Sequence, residues 1–461
     1  MGEKVEHVVV LLLENRSFDH MLGYFPSNGV PFEGLTGNEA NFENPLDGTG
    51  FRATVSPDAP YVPDVDPCPD HDIANVQLQL FGRSGPWPSD PVALHNNGFL
   101  YDFAQITKDV PAAATVMRCH GPGHVPALTA LAQEFALCDH WFASVPGPTW
   151  PNRFFVHAAT SGGYTDNAIR LYPMRTLYEN LSDADVGWRI YFHDFPQSLA
   201  LDNQLRYIGT NYEYVTRYFE DCAAGTLPSY SFIEPRYFNE GVFRANDWHP
   251  IHGVVHGDVL IADVYKALRS SPLWDRSMLI VATDEHGGLY DHVLPPPAVN
   301  PDGKSSPEFD FTRLGIRVPA VVASPWIEKG TVSQTVYDHT TLAATARDLF
   351  GVDDSLSERD KAANTLLPLL TRDAPRADAP LDLPRPSADA LALSAAAQPP
   401  GRVLSHVQNS LVTLARSVMT KAPELLHEPL SSALLTTERE GAIIAKFAVG
   451  LLRRQINFPP L

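Results

Sequence analysis

Oxygen-bearing side chains stand at the ends of two strongly apolar runs. The first, His7-Val8-Val9-Val10-Leu11-Leu12-Leu13, gives way to Glu14-Asn15, and the second, Met278-Leu279-Ile280-Val281-Ala282-Thr283, to Asp284-Glu285. Runs without polar alternation read as strands covered on both faces of a parallel sheet. Ligands of such sheets bind beyond the carboxyl ends of the strands, so these four residues fall where a hard or borderline cation would be held. Carboxylates converging there repel one another unless a cation lies between them. Asn15 or Ser17 reads equally as the N-cap of a following helix.

A hydroxyl enters from a third segment, Pro146-Gly147-Pro148-Thr149-Trp150-Pro151-Asn152-Arg153. The prolines stiffen the approach and Gly147 permits backbone angles that other residues resist, so Thr149 is held at the head of a helix over 153–160. Free backbone N–H groups at that end would cradle a phosphate, the plainer alternative being an N-cap threonine. A threonine hydroxyl is inert at neutral pH until a metal or base activates it. Thr149 with Glu14, Asn15, Asp284 and Glu285 therefore makes an oxygen-rich metal pocket containing a nucleophile. Histidines are also in supply. His249, His252 and His256 crowd one segment, of which one or two should touch the reaction, and His286 follows the second acidic pair. His71 and Asn97 lie in polar clusters at 64–72 and 95–98, the first stiffened by Pro67 and Pro69. Imidazole serves both as metal ligand and as proton carrier.

The elements that position these groups make an α/β chain. At 461 residues and 44% hydrophobic composition it has ample material for one large domain and an appendage. Residues 26–110 lack sustained periodicity and read as an insertion covering the site. An amphipathic helix is expected over 124–142, a short strand at 142–145, further strands at 229–235 and 318–325, and helices at 258–270 and 342–350. Residues 373–401, rich in Pro and Ala, read as a linker closing a catalytic domain at 1–372. Beyond it, Val403, Val407, Leu411, Leu414 and Val418 mark one tail helix within 402–461, and Ile443, Ile444, Phe447, Leu451 and Leu452 another. The tail is a helical hairpin docked on the body or on another subunit, or an interfacial element that finds lipid through its apolar face and Arg453-Arg454.

A net charge of −20 without any basic block argues against a nucleic-acid partner and a polybasic membrane patch. The start leaves no room for a signal peptide, and no apolar stretch approaches the roughly 20 residues of a membrane span. The expectation is a protein soluble as made, cytoplasmic or exported by a leaderless route. Four cysteines without a C-x-x-C pair read as buried thiols.

Glu14-Asn15-Arg16-Ser17-Phe18-Asp19-His20, the Pro146–Arg153 loop and Asp284-Glu285-His286-Gly287-Gly288-Leu289-Tyr290-Asp291-His292 resemble the three signatures of the bacterial phosphoesterase family. That group holds phosphatidylcholine-preferring phospholipases C and acid phosphatases of the alkaline-phosphatase-like superfamily, and the resemblance runs over about residues 5–350. It implies an α/β core with a central, mostly parallel sheet flanked by helices, and says nothing of the C-terminal helical tail. It places Glu14, Asn15, Asp284 and Glu285 on metal-ligand positions and Thr149 on the nucleophile position, where some relatives carry serine. His71, Asn97, His249 and His286 match polar positions around the phosphate, as leaving-group acids or further ligands. It implies a divalent cation, zinc among the options and more than one ion conceivable, and a phospholipid substrate met at a membrane surface, with self-association a further option. The implied reaction is hydrolysis through a phosphothreonine. An acid phosphatase acting on small phosphomonoesters is the alternative, and a non-catalytic lipid- or metal-binding protein is a third reading.

Overall fold

The structure is a computed structural model that describes residues 4–61, 67–85, 87, 95–168, 170–239, 243–397, 404–420 and 438–455. Its strands are β1 (His7–Leu13), β2 (Ala40–Asn44), β3 (Thr49–Thr54), β4 (Ala136–Cys138), β5 (Trp188–Phe192), β6 (Tyr212–Tyr214), β7 (Tyr230–Glu234), β8 (Ser277–Thr283), β9 (Ala320–Ala323) and β10 (Thr331–Ser333). Eight of them form one sheet in the order β10-β4-β9-β8-β1-β7-β5-β6. β1 runs parallel to both neighbours, β7 and β8, and β9 alone is reversed against the strands beside it. The mostly parallel sheet expected from the sequence is therefore present.

The lack of alternation in β1 has a direct cause. Val8, Val10 and Leu12 enter one apolar cluster and Val9, Leu11 and Leu13 the other, so both faces are covered. Helices Pro126–Glu134 and Val255–Arg269 close one side, and Thr149–Ala158, Leu177–Asp183 and Thr340–Phe350 the other.

Four sequence expectations change. The strand expected at 142–145 is instead β4, at 136–138, because the preceding helix ends early at Glu134. Residues 141 and 142 contribute only isolated bridges, to Tyr337 and Arg317. The insertion is not without periodicity: it holds the hairpin β2–β3 and helices Ile73–Phe81 and Phe99–Thr107. Each helix has nine residues, too short a repeat to stand out from the surrounding Pro, Gly and Asn. Together they enclose a satellite core of Val76, Leu80, Phe99, Leu100 and Phe103 against Leu289 and Tyr290. Asp64 and Asp66 of the acidic loop lie outside the described residues.

Residues 373–397 are a strap rather than a spacer. Ala379 and Leu383 are buried, Tyr265 donates to Pro380 O at 2.6 Å, Arg269 donates to Ala379 O, and Arg385 pairs with Asp263 at 2.7 Å. The proline-rich composition is anchored here through backbone carbonyls, which composition does not disclose.

The tail helices His406–Thr420 and Glu438–Gln455 pack on each other and on the body. Leu404, Leu411, Leu414, Ala415, Ala442 and Ala445 are buried in the same cluster as one face of β1. Gln408 donates to Tyr237 O at 2.7 Å. Of the described apolar positions that would have met lipid, Leu411 and Leu414 are buried on the protein itself and Ile444 is partly buried against their cluster, whereas Ile443 is 60% exposed. Val403 and the side chains of Val407, Val418, Phe447, Leu451, Leu452, Arg453 and Arg454 lie outside the described residues. Among the described residues no helix is long and apolar enough to cross a membrane. Cys119, Cys138 and Cys222 are buried thiols, as the sequence suggested.

Candidate active site

Three adjacent parallel strands end on acids. Glu14 follows β1, Asp284 follows β8, and Glu234 is the last residue of β7, with Leu13 opposite Thr283 and Leu11 opposite Ile233 in register. All three carboxylates are fully buried and converge on one guanidinium. Arg153 lies 3.1 Å from Glu14 Oε1, 3.0 Å from Asp284 Oδ2 and 3.4 Å from Glu234 Oε2. The cation that converging acids require is therefore supplied in part by the chain itself. Sequence reading did not assign Arg153 or Glu234 a role.

Burial opposes the charge on Arg153, but Tyr237, Asp284, Glu14 and Glu234 together hold it above its ordinary range. Burial raises Glu14 well above the usual carboxylate range and lifts Asp284 to about 7, Arg153 opposing both.

Arg153 belongs to the helix Thr149–Ala158, and Thr149 is its first residue, one turn earlier on the same face. The loop before it is fixed by one side chain. Asn152 accepts from Val145 N at 2.9 Å and donates to the carbonyls of Val145, Gly147 and Pro148. The phosphate cradle expected at this helix end is thinner than anticipated. Trp150 N already donates to Asn167 Oδ1 at 2.9 Å, and Pro151 has no N–H to offer.

Asn15 takes the left-handed conformation, with φ of 49°, and its N–H donates to Asp284 Oδ1 at 3.1 Å. It does not cap the following helix; Ser17 does, accepting from His20 N at 3.2 Å. His71 Nε2 lies 3.2 Å from Asn15 Nδ2 and 3.3 Å from Glu285 Oε1, so its protonation decides which of the two it bonds. Burial disfavours the charged ring, but Glu285 overrides it and raises His71 above its ordinary value; Glu285, despite burial, is lowered chiefly by His71. His286 stands 2.7 Å from Gln79 Oε1, and burial lowers its basicity. His339 Nε2 holds the Asp284 carbonyl at 2.5 Å while Trp141 donates to its other nitrogen, and burial leaves it near 4, uncharged.

His249 is buried in the loop whose Asp247 O accepts from Glu14 N at 2.7 Å, and its own N–H turns to Asp247 Oδ1 at 3.3 Å. Its neighbour His252 bonds the same carboxylate at 2.7 Å. Asn97 is placed differently from the rest, donating to Pro45 O at 2.6 Å within the insertion. Glu14, Asn15, Asp284, Glu285, His71 and Arg153 thus form one connected network, which Asn97 does not join through its Nδ2 bond.

Three side-chain oxygens of the expected metal set are buried without a hydrogen-bond partner, Glu14 Oε2, Asn15 Oδ1 and Thr149 Oγ1, while Glu285 Oε1 has only the ion pair with His71 at 3.3 Å. A buried oxygen left unpaired is costly and a cation is a partner that oxygen ligands accept, so these residues fit a divalent ion. Asp284 is less available, because its oxygens already accept from Asn15 N, Glu285 N and Arg153 Nε.

Among the described residues, Asp19, Asp291 and His292 are the trio of acidic and imidazole groups whose ligand atoms all lie within 4.8 Å of one another, and they form a candidate divalent-metal cluster. Glu14, Asp284 and Glu285 stand farther apart. In the trio, however, Arg317 pairs with Asp19 at 2.8 Å and with Asp291 at 3.2 Å, and His292 pairs with Asp19 at 2.7 Å. Burial works against charge on His292, but Asp19 pushes it up to about 9. A raised histidine contributes stability in full below its unfolded value of about 6.5 and loses it as pH rises through about 9. The melting temperature should therefore fall between about pH 7 and 9, and His292→Gln should flatten that fall.

Gly287 turns the chain back over the site with φ of 67°, and a Cβ there would lie 2.4 Å from Asn15 O. Gly287→Ala should push Asn15 away from Asp284 and lower turnover by on the order of 10²-fold, since an error near 1 Å suffices for such a loss. Steady-state kinetics on a soluble ester would read it.

A profile of the phosphoesterase family matches residues 5–353. Non-specific phospholipase C4 of Arabidopsis thaliana is 38% identical over 452 residues, spanning 92% of this chain and 82% of its own length. Non-specific phospholipase C6 of the same plant is 39% identical over 433 residues, with 89% and 80% covered. Phospholipase C B of Mycobacterium tuberculosis is 28% identical over 419 residues, with 76% and 74% covered. The similarity expected to bacterial enzymes is thus accompanied by a greater one to plant enzymes. A solved protein of the alkaline phosphatase superfamily from Vibrio parahaemolyticus aligns with 52% of this chain and 64% of its own at 14% identity, with a TM-score of 0.31.

Proposed function

The chain belongs to the phosphoesterase family of phosphoric ester hydrolases, and on that premise we propose that it is a metal-dependent phospholipase C acting on the glycerol-side phosphodiester of phospholipids such as phosphatidylcholine. The observation that carries this reading is the set of three partnerless buried oxygens, on Glu14, Asn15 and the Thr149 hydroxyl, beside three acids gathered on Arg153.

Thr149 is the nucleophile. Its Oγ1 forms a bond to phosphorus as the bond to the glycerol oxygen breaks, and water later cleaves the phosphothreonine. A divalent cation, zinc among the options, would be held by Glu14, Asn15, Glu285 and Asp284 and would supply charge neutralisation and a lowered hydroxyl pKa. Arg153 holds Glu14 and Asp284 in place. His71, which Glu285 favours in its protonated form, gives its proton to the departing diacylglycerol, while His286 and His249 line the polar surround. Asn97 acts through the insertion. Contact with the lipid surface is shallow, because Leu404, Leu411, Leu414 and Val449 of the tail are spent on the body.

The test compares release of diacylglycerol from phosphatidylcholine vesicles with hydrolysis of nitrophenyl phosphate, before and after chelation. Chelator-sensitive diacylglycerol release supports the reading. Hydrolysis of the small monoester alone replaces it with an acid phosphatase, and metal uptake without either activity leaves a binding protein.

A further inference from the structure

Away from Thr149, a second pocket opens on the same edge of the sheet. His193 follows β5 and Arg236 stands two residues after β7, and with Arg244, Asn246, His256 and Asp263 they line a cavity of about 330 Å³. Four of the eleven described lining residues are basic types in a chain of net charge −20. The acid among them is already engaged, Asp263 pairing with Arg385 at 2.7 Å.

The pocket is built rather than incidental. Arg236 and Asn246 are locked together, Arg236 N donating to Asn246 Oδ1 at 2.5 Å and Asn246 N to Arg236 O at 2.9 Å. The Arg236 guanidinium donates to Arg244 O at 3.3 Å and lies 5.1 Å from the Phe243 ring, while Arg244 donates to Ala395 O of the strap. His193 Nδ1 rests 2.9 Å from Glu234 O. His256 Nε2 is buried and has no hydrogen-bond partner. Burial and the two arginines hold His256 near 4, and burial and Arg236 hold His193 near 3, so both imidazoles stand in a positive field. Phe243, at the mouth, is 59% exposed.

We propose that this pocket is a second, non-catalytic site for a phosphate-type oxyanion, gripped by Arg236 and Arg244 with His256 Nε2 as a further contact. A guanidinium group matches the geometry of phosphate oxygens, and side chains already held by backbone carbonyls lose little entropy on binding. The ligand chemistry is shared by two sources, the phosphomonoester headgroup of an anionic lipid and free inorganic phosphate. The site does not depend on the phospholipase reading of Thr149.

The full chain and its Arg236→Gln/Arg244→Gln variant would be compared by calorimetric titration with inorganic phosphate, and by co-sedimentation with phosphatidylcholine vesicles with and without phosphatidic acid. Measuring the difference between the two proteins removes any phosphate held at the catalytic centre. Loss of one phosphate-binding event, or its weakening by roughly tenfold or more, supports the site with free phosphate as ligand. Preferential binding to phosphatidic acid vesicles that the variant lacks supports it with lipid as ligand. Equal behaviour of wild type and folded variant in both arms overturns it. Should the double variant fail to fold, His256→Phe, which fills the pocket, makes the same comparison with the same outcomes.

Discussion

Thr149→Val should abolish turnover, by on the order of 10³-fold or more, without lowering the melting temperature. The two halves of this result have separate causes. The loss of rate follows if the hydroxyl attacks phosphorus, because valine keeps the shape and the β-branch and removes only the nucleophile. The stability follows from the hydroxyl's surroundings: Thr149 is buried and its Oγ1 has no hydrogen-bond partner, so deleting it breaks no bond and removes an unsatisfied polar group. A threonine kept only as a helix cap would behave in the opposite way, losing stability and keeping activity. Thr149→Ser should retain part of the rate, since the attacking atom survives. Kinetics on a soluble ester together with thermal melts of both variants decide the matter, and a Val variant with substantial activity removes Thr149 from the chemistry.

The sequence made some of this site legible and hid the rest for physical reasons. Glu14, Asn15, Asp284 and Glu285 were readable because a strand buried on both faces leaves an unbroken apolar run, and the residues that break it lie at the carboxyl edge. Glu234 carries the same signature more faintly. Its strand, Tyr230–Glu234, is fully buried but short and contains Ser231, so the run does not stand out. Arg153 sits four residues after Thr149, the spacing that shares a helix face, yet nothing in sequence says which acids that face will meet. Asn152 is hidden for a similar reason, since a side chain that bonds three local carbonyls reads like any loop asparagine. The strap was hidden because what fixes it, the carbonyls of Ala379 and Pro380, is tertiary, whereas the tail reads in sequence as a docked helical hairpin or a lipid-seeking element and its burial in the main core favours the first.

Arg153 also offers the harshest test of how the site is held together. Arg153→Met keeps most of the side-chain volume and removes the positive charge shared by Glu14, Asp284 and Glu234, whose distances to it run from 3.0 to 3.4 Å. Breaking a buried ion pair by deleting one partner costs about 3–5 kcal/mol, because the other charge stays buried without compensation. Three carboxylates are stranded here, so the upper end of that range is expected, with turnover lost as Asp284 and Glu14 shift. The sign of the pH dependence follows from the same cause. Burial already lifts Asp284 to about 7 and raises Glu14 with the guanidinium opposing both, and without Arg153 these two rise further. A carboxyl whose folded pKa is raised binds more protons folded than unfolded, so its contribution is present below about pH 4 and is lost as pH rises through the folded value. The variant should therefore melt higher at about pH 5 than at about pH 8, by a wider margin than the wild type. A divalent cation, able to replace the missing charge among the same oxygens, should recover part of the difference at the higher pH. If the Met variant instead melts within a degree or two of the wild type across that range, the three acids do not depend on Arg153 for their charge balance.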